Sequence, residues 1–404
     1  MNSNHNPSRN KHMLWELGFG GFLVNADNRA IAPMLPAIAL ALHVSVSAAA
    51  LLVTAYSIPY GLFQLVYGPL ADRFGKIRTI LLSLGLFSVG TIACGFVYTF
   101  SWLMVLRIIT GVFAAGIIPT TLAQIGDKFE ISDRPRAIAF FMSLATSGQA
   151  MGIVIGGLVA QFFSYRLLFI IIGVATVPTL LALFRQRHGE TRQHPNYIPL
   201  LLRYSSLFHN RRAWLIYGLV LCEGFVFFAG FTFLGVYGVF ELHLSYLVIG
   251  LLTATYSLGA FAGSRTIAWV LHRIGTSRMP IVGATLMTLG FALVWGWVSV
   301  VALTAGFIVM GFGFSYCHSA LQTYATDLLP NGRATAVSVF AFSLFLGSGL
   351  GPMAGGQIFD AYGVNAMLGS VTIGMAIFAV LCATLLFTSV NRRNGIVEQK
   401  SLGS

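Results

Sequence analysis

Apolar residues in this chain come in runs of about 20, and a helix of that length, rising about 1.5 Å per residue, crosses about 30 Å of hydrocarbon. Twelve runs are predicted. The first six cover about 14–40, 47–67, 79–98, 102–125, 137–162 and 165–184, and the second six about 213–238, 246–268, 279–298, 301–325, 334–358 and 364–388. One long polar connection, Arg185 to Arg212, separates the two sets. The pattern predicts an all-α integral membrane protein: a tail over 1–12, a six-helix bundle over 13–184, a central loop over 185–212, a second bundle over 213–388 and a tail over 389–404. Met1 to Lys11 reads as a disordered polar tail. Ala39-Leu40-Ala41 mimics a signal-peptide cleavage site, but the segment before it is too long and carries Asn25, Asp27, Asn28 and Arg29, so it reads as a retained first helix.

The two halves repeat. Tyr56-Ser57 returns as Tyr256-Ser257, Arg73-Phe74-Gly75 as Arg273-Ile274-Gly275 and Asp127 as Asp327, all 200 residues later. Gly148, Gly152, Gly156 and Gly157 return as Gly347, Gly351, Gly355 and Gly356 at an offset of 199. Two pseudo-symmetric bundles with a site near the bilayer midplane follow from such a repeat.

Composition agrees. Charged residues are 9% of the chain and apolar ones 56%, too few charges to cover a water-facing surface. The net charge of +12 raises the question of nucleic acid, and the position of the charges answers it. Leaving out Arg29, Arg107 and Arg265, which fall within helices, 20 of the other 21 Lys and Arg lie in the tails and in the loops after helices 2, 4, 6, 8 and 10. Only Arg166 lies on the other side. By the positive-inside rule both termini are cytoplasmic, the host is a cell membrane, and nucleic acid is not a partner. Cys94, Cys222, Cys317 and Cys382 sit in four separate runs with no metal-ligand spacing, so they read as buried inert thiols with no disulfide framework and no metal site. His188, His194 and His209 in the central loop lack such spacing too.

Gly68-Pro69-Leu70-Ala71-Asp72-Arg73-Phe74-Gly75-Lys76-Ile77-Arg78, between helices 2 and 3, resembles the cytoplasmic signature of the major facilitator superfamily. Asp127 through Arg134 resembles its companion after helix 4, and Asp327 to Arg333 a shorter copy. The glycines allow a tight turn between helices, and the charges allow bonds that break and remake. The resemblance implies a cytoplasmic gate of Gly68, Asp72, Arg73, Gly75, Arg78, Asp127 and Arg134, with Asp72, Arg78 and Asp127 as its latch. Arg107-x3-Gly111 in helix 4 is similar to the pattern of proton-coupled members. Gly148-x3-Gly152-Ile153-x2-Gly156-Gly157 in helix 5 resembles the antiporter motif of the twelve-helix drug:proton exporters, with Ile153 where proline is expected. The complete form, with Pro352, is in helix 11. Glycines at this spacing also make flat faces for helix packing.

Charges inside hydrocarbon carry function by default. Asp27 lies about 20 Å from the cytoplasmic face and Arg107 about 10 Å from the opposite one, in a core about 30 Å thick, so the two are placed at one depth. They are expected to pair, and Glu223, near the middle of helix 7, is a third proton- or cation-binding group. Tyr56, Tyr60, Gln64 and Tyr67 share one stripe of helix 2, while Gly311, Ser315, His318 and Gln322 share one of helix 10. With Asn25, these stripes are candidate walls of a substrate cavity; packing between helices is the competing reading for the tyrosines, and a satisfied buried histidine for His318. The 33 phenylalanines read as lipid-facing bulk. No acid pair, metal cluster or Ser/His arrangement supports an enzyme. The expectation is a monomeric, proton-coupled efflux antiporter for amphipathic small molecules, with the proton as coupling ion and no cofactor. The alternatives are a transporter of one metabolite in the same superfamily, and more distantly a membrane enzyme or a transporter-like sensor.

Overall fold

The computed structural model describes residues 7–186, 204–205, 207, 209–329 and 332–401, with side chains within 11–185 and 204–385 of those ranges. His188, His194 and most of the expected central loop lie outside the described residues, as do Met1 to Asn6.

Every regular element among the described residues is a helix: α1 (Pro7–Leu42), α2 (Val46–Phe74), α3 (Lys76–Cys94), α4 (Phe100–Ala114), α5 (Ile117–Lys128), α6 (Arg134–Phe162), α7 (Tyr165–Gln186), α8 (Arg211–Phe240), α9 (Tyr246–Ile274), α10 (Met279–Gly296), α11 (Val300–Thr326) and α12 (Arg333–Ser401). Ten helical segments, counting α4 and α5 as one, are long and apolar enough to cross a bilayer. α1 falls outside that set because Asn25, Asp27, Asn28 and Arg29 interrupt its apolar run. α12 holds two spans, divided where Gly363 takes φ 81°, a left-handed conformation that favours glycine. With α1 counted beside these, the described helices make twelve segments, one for each predicted apolar run.

Three boundaries differ from expectation. α1 starts at Pro7, inside the predicted tail; proline suits a first helical turn, whose N–H groups have no intrahelical acceptor. α12 continues to Ser401, past the predicted end of the last span. The fourth span is broken between α4 and α5 at Ala115–Gly116, where the Tyr67 ring and Ser83 Oγ press in so closely that a methyl on Gly116 would come within 2.5 Å of each.

The helices form two compact units, one holding Met1–Arg203 with Thr232–Ala254, the other Tyr204–Phe231 with Thr255–Ser404. The segment 232–254 joins the first unit through close glycine contacts. Gly250 meets Gly157 of α6, and Gln161 Oε1 accepts the Tyr246 N–H at 3.0 Å.

Within each unit the same device joins first and fifth spans. Gly148, Gly152 and Gly156 of α6 lie against the backbone of Phe22, Ala26 and Ala30 of α1. Gly347, Gly351 and Gly355 of α12 lie likewise against Leu221, Phe225 and Ala229 of α8. Lipid tails are as apolar as leucine, so helices in a bilayer associate through such close packing rather than by expelling water. Their outer faces carry large apolar side chains such as Leu82, Val89, Trp102 and Val174.

Candidate functional site

Asp27 follows Ala26, which is fixed against Gly152, and Asn25, whose Nδ2 donates to the Ala145 carbonyl at 2.8 Å. These two contacts hold α1 on α6 and orient the next residue, Asp27, towards α4. There Arg107 Nη1 donates to Asp27 Oδ2 at 2.7 Å, with both side chains at most 1% exposed. Gly111 lies against the Tyr56 carbonyl, bringing α2 onto α4 and the Tyr56 ring beneath the guanidinium, 4.2 Å from its carbon. The contact is of cation–π type.

The bonding capacity of this cluster is only partly used. Asp27 Oδ1, Arg107 Nε and Nη2, and Tyr56 OH are buried without a hydrogen-bond partner among the described residues. Such groups tolerate burial poorly unless partners arrive. The arrangement therefore holds a charge pair that a proton or a movement of Arg107 can open.

Of Asn25, Tyr56, Tyr60 and Gln64, expected on a cavity wall, Asn25 is half-buried and the other three are buried. Asn25 is the α1–α6 staple described above. Tyr56 and Tyr60 are 0% and 2% exposed and stack on each other at 5.7 Å, while Gln64 is buried one turn further along and hydrogen-bonds Tyr60. The stripe is interior because every fourth residue of α2 faces α4 and α5.

At the basic end, Gly75 takes φ 96° between α2 and α3, the tight turn expected of it. Gly68 lies one and a half turns before the end of α2. In this arrangement Asp127 pairs with Lys76, a residue not named for the latch, whose Nζ is also 3.5 Å from the Ala123 carbonyl. Lys76 is the first residue of α3 and lies along α5, whereas Arg78, two residues on, is on another side of the helix and exposed, as are Asp72 and Arg73. The Arg73 guanidinium covers the Phe74 ring at 5.3 Å. Arg134 Nε donates to the Phe129 carbonyl at 3.0 Å, closing the loop before α6.

In the second unit Glu223 is 0% exposed, and the half-buried His318 has Nδ1 3.3 Å from Glu223 Oε2. Glu223 Oε1 has no partner among the described residues. His318 stacks on Phe314 at 5.0 Å and meets Phe340 at 4.9 Å. Phe314 continues to Phe227 at 5.0 Å and Tyr256 at 6.2 Å, and Tyr256 to Phe231 at 4.8 Å. Tyr256, Phe314 and His318 are half-buried, so they form a shelf with Glu223 behind it. Gln322, one turn beyond His318, is exposed. Reading the phenylalanines as lipid-facing bulk therefore fails here: Phe227, Phe228, Phe231, Phe307 and Phe340 are at most 4% exposed inside this unit. Composition alone could not show it, because a helix with aromatic residues on several faces gives no direction.

All four cysteines are free thiols, and no group of three or more potential metal ligands occurs among the described residues.

Comparison with known proteins agrees with this architecture. The Major Facilitator Superfamily family model matches residues 17–249 and 239–402. The MFS-type transporter YceJ of Bacillus subtilis is 28% identical over 377 residues, covering 91% of this chain and 93% of its own. Multidrug resistance protein 1 of the same species is 24% identical over 354 residues, 86% of this chain and 89% of its own. Among solved structures, a bacterial homologue of the human lysosomal transporter Spinster has a TM-score of 0.81 at 18% identity, covering 96% of this chain and 99% of that one. The chain belongs to the major facilitator superfamily and is a multi-pass membrane transporter, not an enzyme.

Proposed function

We propose that the protein is a proton-coupled antiporter that moves amphipathic small molecules out across a bacterial cell membrane by alternating access. The observation that carries this reading is the buried Asp27–Arg107 pair with unspent hydrogen-bonding capacity. A carboxyl withdrawn from water favours its neutral form, and an adjacent cation favours the carboxylate. Asp27 thus holds a proton while Arg107 is turned away and releases it when Arg107 returns. The proton is the coupling ion; no cofactor takes part. A membrane potential supplies about 2.3 kcal/mol per charge per 100 mV, enough for about fifty-fold accumulation. The basic ends of the helices face the cytoplasm, and a single chain is the transporting unit.

Two further observations support efflux of amphipathic compounds. A relative at 24% identity is named a multidrug resistance protein, and the Tyr256–Phe314–His318 shelf backed by Glu223 offers aromatic faces beside an acid. The second reading, transport of one defined metabolite, is favoured by Ile153, buried where the exporter motif has proline.

Reconstituted protein under an imposed pH gradient tests both. Wild type should move several unrelated amphipaths in exchange for protons, and Asp27→Asn should insert normally yet move none. Proton flux at the wild-type rate in Asp27→Asn refutes the coupling; a single transported compound in the panel selects the metabolite reading.

A further inference from the structure

From the Asp27 cluster a further set of buried polar groups runs on through the first unit. On α2, Tyr56, Tyr60, Gln64 and Tyr67 follow one stripe from Arg107 towards the basic end, each at most 8% exposed. Tyr67 meets Ser83 of α3 at the break before α5, where Gly116 leaves room for both. From Gly116 onward α5 turns Thr120, Thr121 and Gln124 inward, all buried to 2% exposure or less. Ile118, Leu122 and Ile125 occupy a different sector, with an apolar cluster that includes Leu14 and Phe141. One turn past Gln124 the same helix reaches Asp127, 40% exposed and paired with Lys76.

α5 brings several open polar groups together on one helix. Four buried threonines elsewhere satisfy themselves on their own helix, Thr79 donating to the Gly75 carbonyl, Thr110 to Arg107, Thr176 to Ile172 and Thr372 to Leu368, while Thr91 and Thr253 are open among the described residues but stand singly on their helices. Thr120 Oγ1, Thr121 Oγ1 and Gln124 Nε2 are buried and have no partner among the described residues. Polar groups left open in a dry interior are disfavoured, and ordered water is their usual partner. Open groups at one end (Asp27 Oδ1, Tyr56 OH) and at the other (Thr120, Gln124) flank a stripe that carries the Tyr60–Gln64 and Tyr67–Ser83 contacts.

We propose that the first unit carries its own proton path, a file of buried polar side chains on α2, α3 and α5 that links Asp27 to the Lys76–Asp127 mouth at the basic end. The path rests on the proton-coupled reading of Asp27 given above. When Arg107 Nη1 returns to Asp27 Oδ2, the carboxyl O–H bond breaks and Asp27 remains as carboxylate. Its proton passes along the Tyr56, Tyr60, Gln64 and Tyr67 stripe, then past Thr120 and Gln124, and enters water beside Asp127. Substrate and proton then use different routes, and a bound substrate need not block proton release.

The test follows Asp27 protonation directly, so no transported compound has to be known. The purified full chain in nanodiscs is subjected to a pH jump, and the infrared carbonyl band of a protonated carboxyl, assigned by its loss in Asp27→Asn, is followed in time. Gln64→Leu and Gln124→Leu should each slow the appearance of the band about tenfold with its final amplitude unchanged, and Gln124→Asn should restore most of the rate. A purely structural role would alter amplitude or folding and leave the rate. Rates within about twofold of wild type in both leucine variants, shown folded by size exclusion, overturn the path while the Asp27 reading stands. Absence in wild type of any band that Asp27→Asn removes overturns the coupling reading, and the path with it.

Discussion

An aspartate and an arginine withdrawn from water persist in this bundle because each is the other's counter-charge, and that mutual dependence has a measurable asymmetry. Removing one member of a buried pair leaves an uncompensated charge and costs about 3–5 kcal/mol, whereas removing both is often nearly neutral. Arg107→Met should therefore lower the thermal midpoint of the detergent-purified protein sharply, and Asp27→Asn/Arg107→Met should recover most of the loss; equal midpoints for the single and double variants contradict the pairing energetics. This pair is legible in the amino-acid sequence, since a helix's fixed rise converts residue position into depth. The Glu223–His318 pair is not. Each residue stands out alone, but sequence gives no rotation of α8 relative to α11, and pairing needs rotation as well as depth. The same missing information hides from the sequence that Tyr56 and Tyr60 are buried.

At the scale of elements, glycine spacing announces close helix contacts but not the partner helix; the contacts of Gly148, Gly152 and Gly156 with α1 supply it. A subtler repeat is harder to see. Leu42-His43-Val44-Ser45 returns 200 residues later as Leu242-His243-Leu244-Ser245, and both histidines take positive φ, 53° and 51°. His43 follows directly on α1 and His243 lies three residues beyond α8, each in the left-handed conformation that glycine adopts without a Cβ clash. The following serine then opens the next helix, Ser45 Oγ accepting the Ala48 N–H at 3.1 Å and Ser245 Oγ that of Val248 at 3.4 Å. His43→Gly and His243→Gly should each stabilise the protein by up to about 1 kcal/mol, with additive gains, read as raised thermal midpoints. A lowered midpoint in either variant would mean that the imidazole, not the backbone, holds these turns. Two histidines in short loops carry little signal on their own, which is why the shared backbone conformation reveals what the residue letters do not.

For the molecule as a whole, duplication has preserved a frame and separated its chemistry. Gly311 lies on the Tyr256 carbonyl as Gly111 lies on that of Tyr56, yet the place of Arg107 one turn earlier is held by Phe307, buried beside Phe231 at 5.9 Å. One unit therefore keeps a tyrosine under a guanidinium, and the other keeps a tyrosine in an aromatic cluster. The acids differ too: Asp27 has an arginine 2.7 Å away, while Glu223 faces His318 and a half-buried aromatic shelf. Under the proposed efflux function, this contrast predicts that Glu223 serves recognition of a cationic, aromatic substrate, attracted by an acid and by ring faces. Glu223→Gln should then weaken binding of a planar aromatic cation such as ethidium about tenfold, while the Asp27 infrared band responds to pH as in wild type. Asp27→Asn should do the reverse, keeping ethidium affinity and losing the band. If Glu223→Gln abolishes coupled proton movement and leaves ethidium binding intact, the two units share the proton work, and the division of labour inferred from Arg107 and Phe307 is wrong.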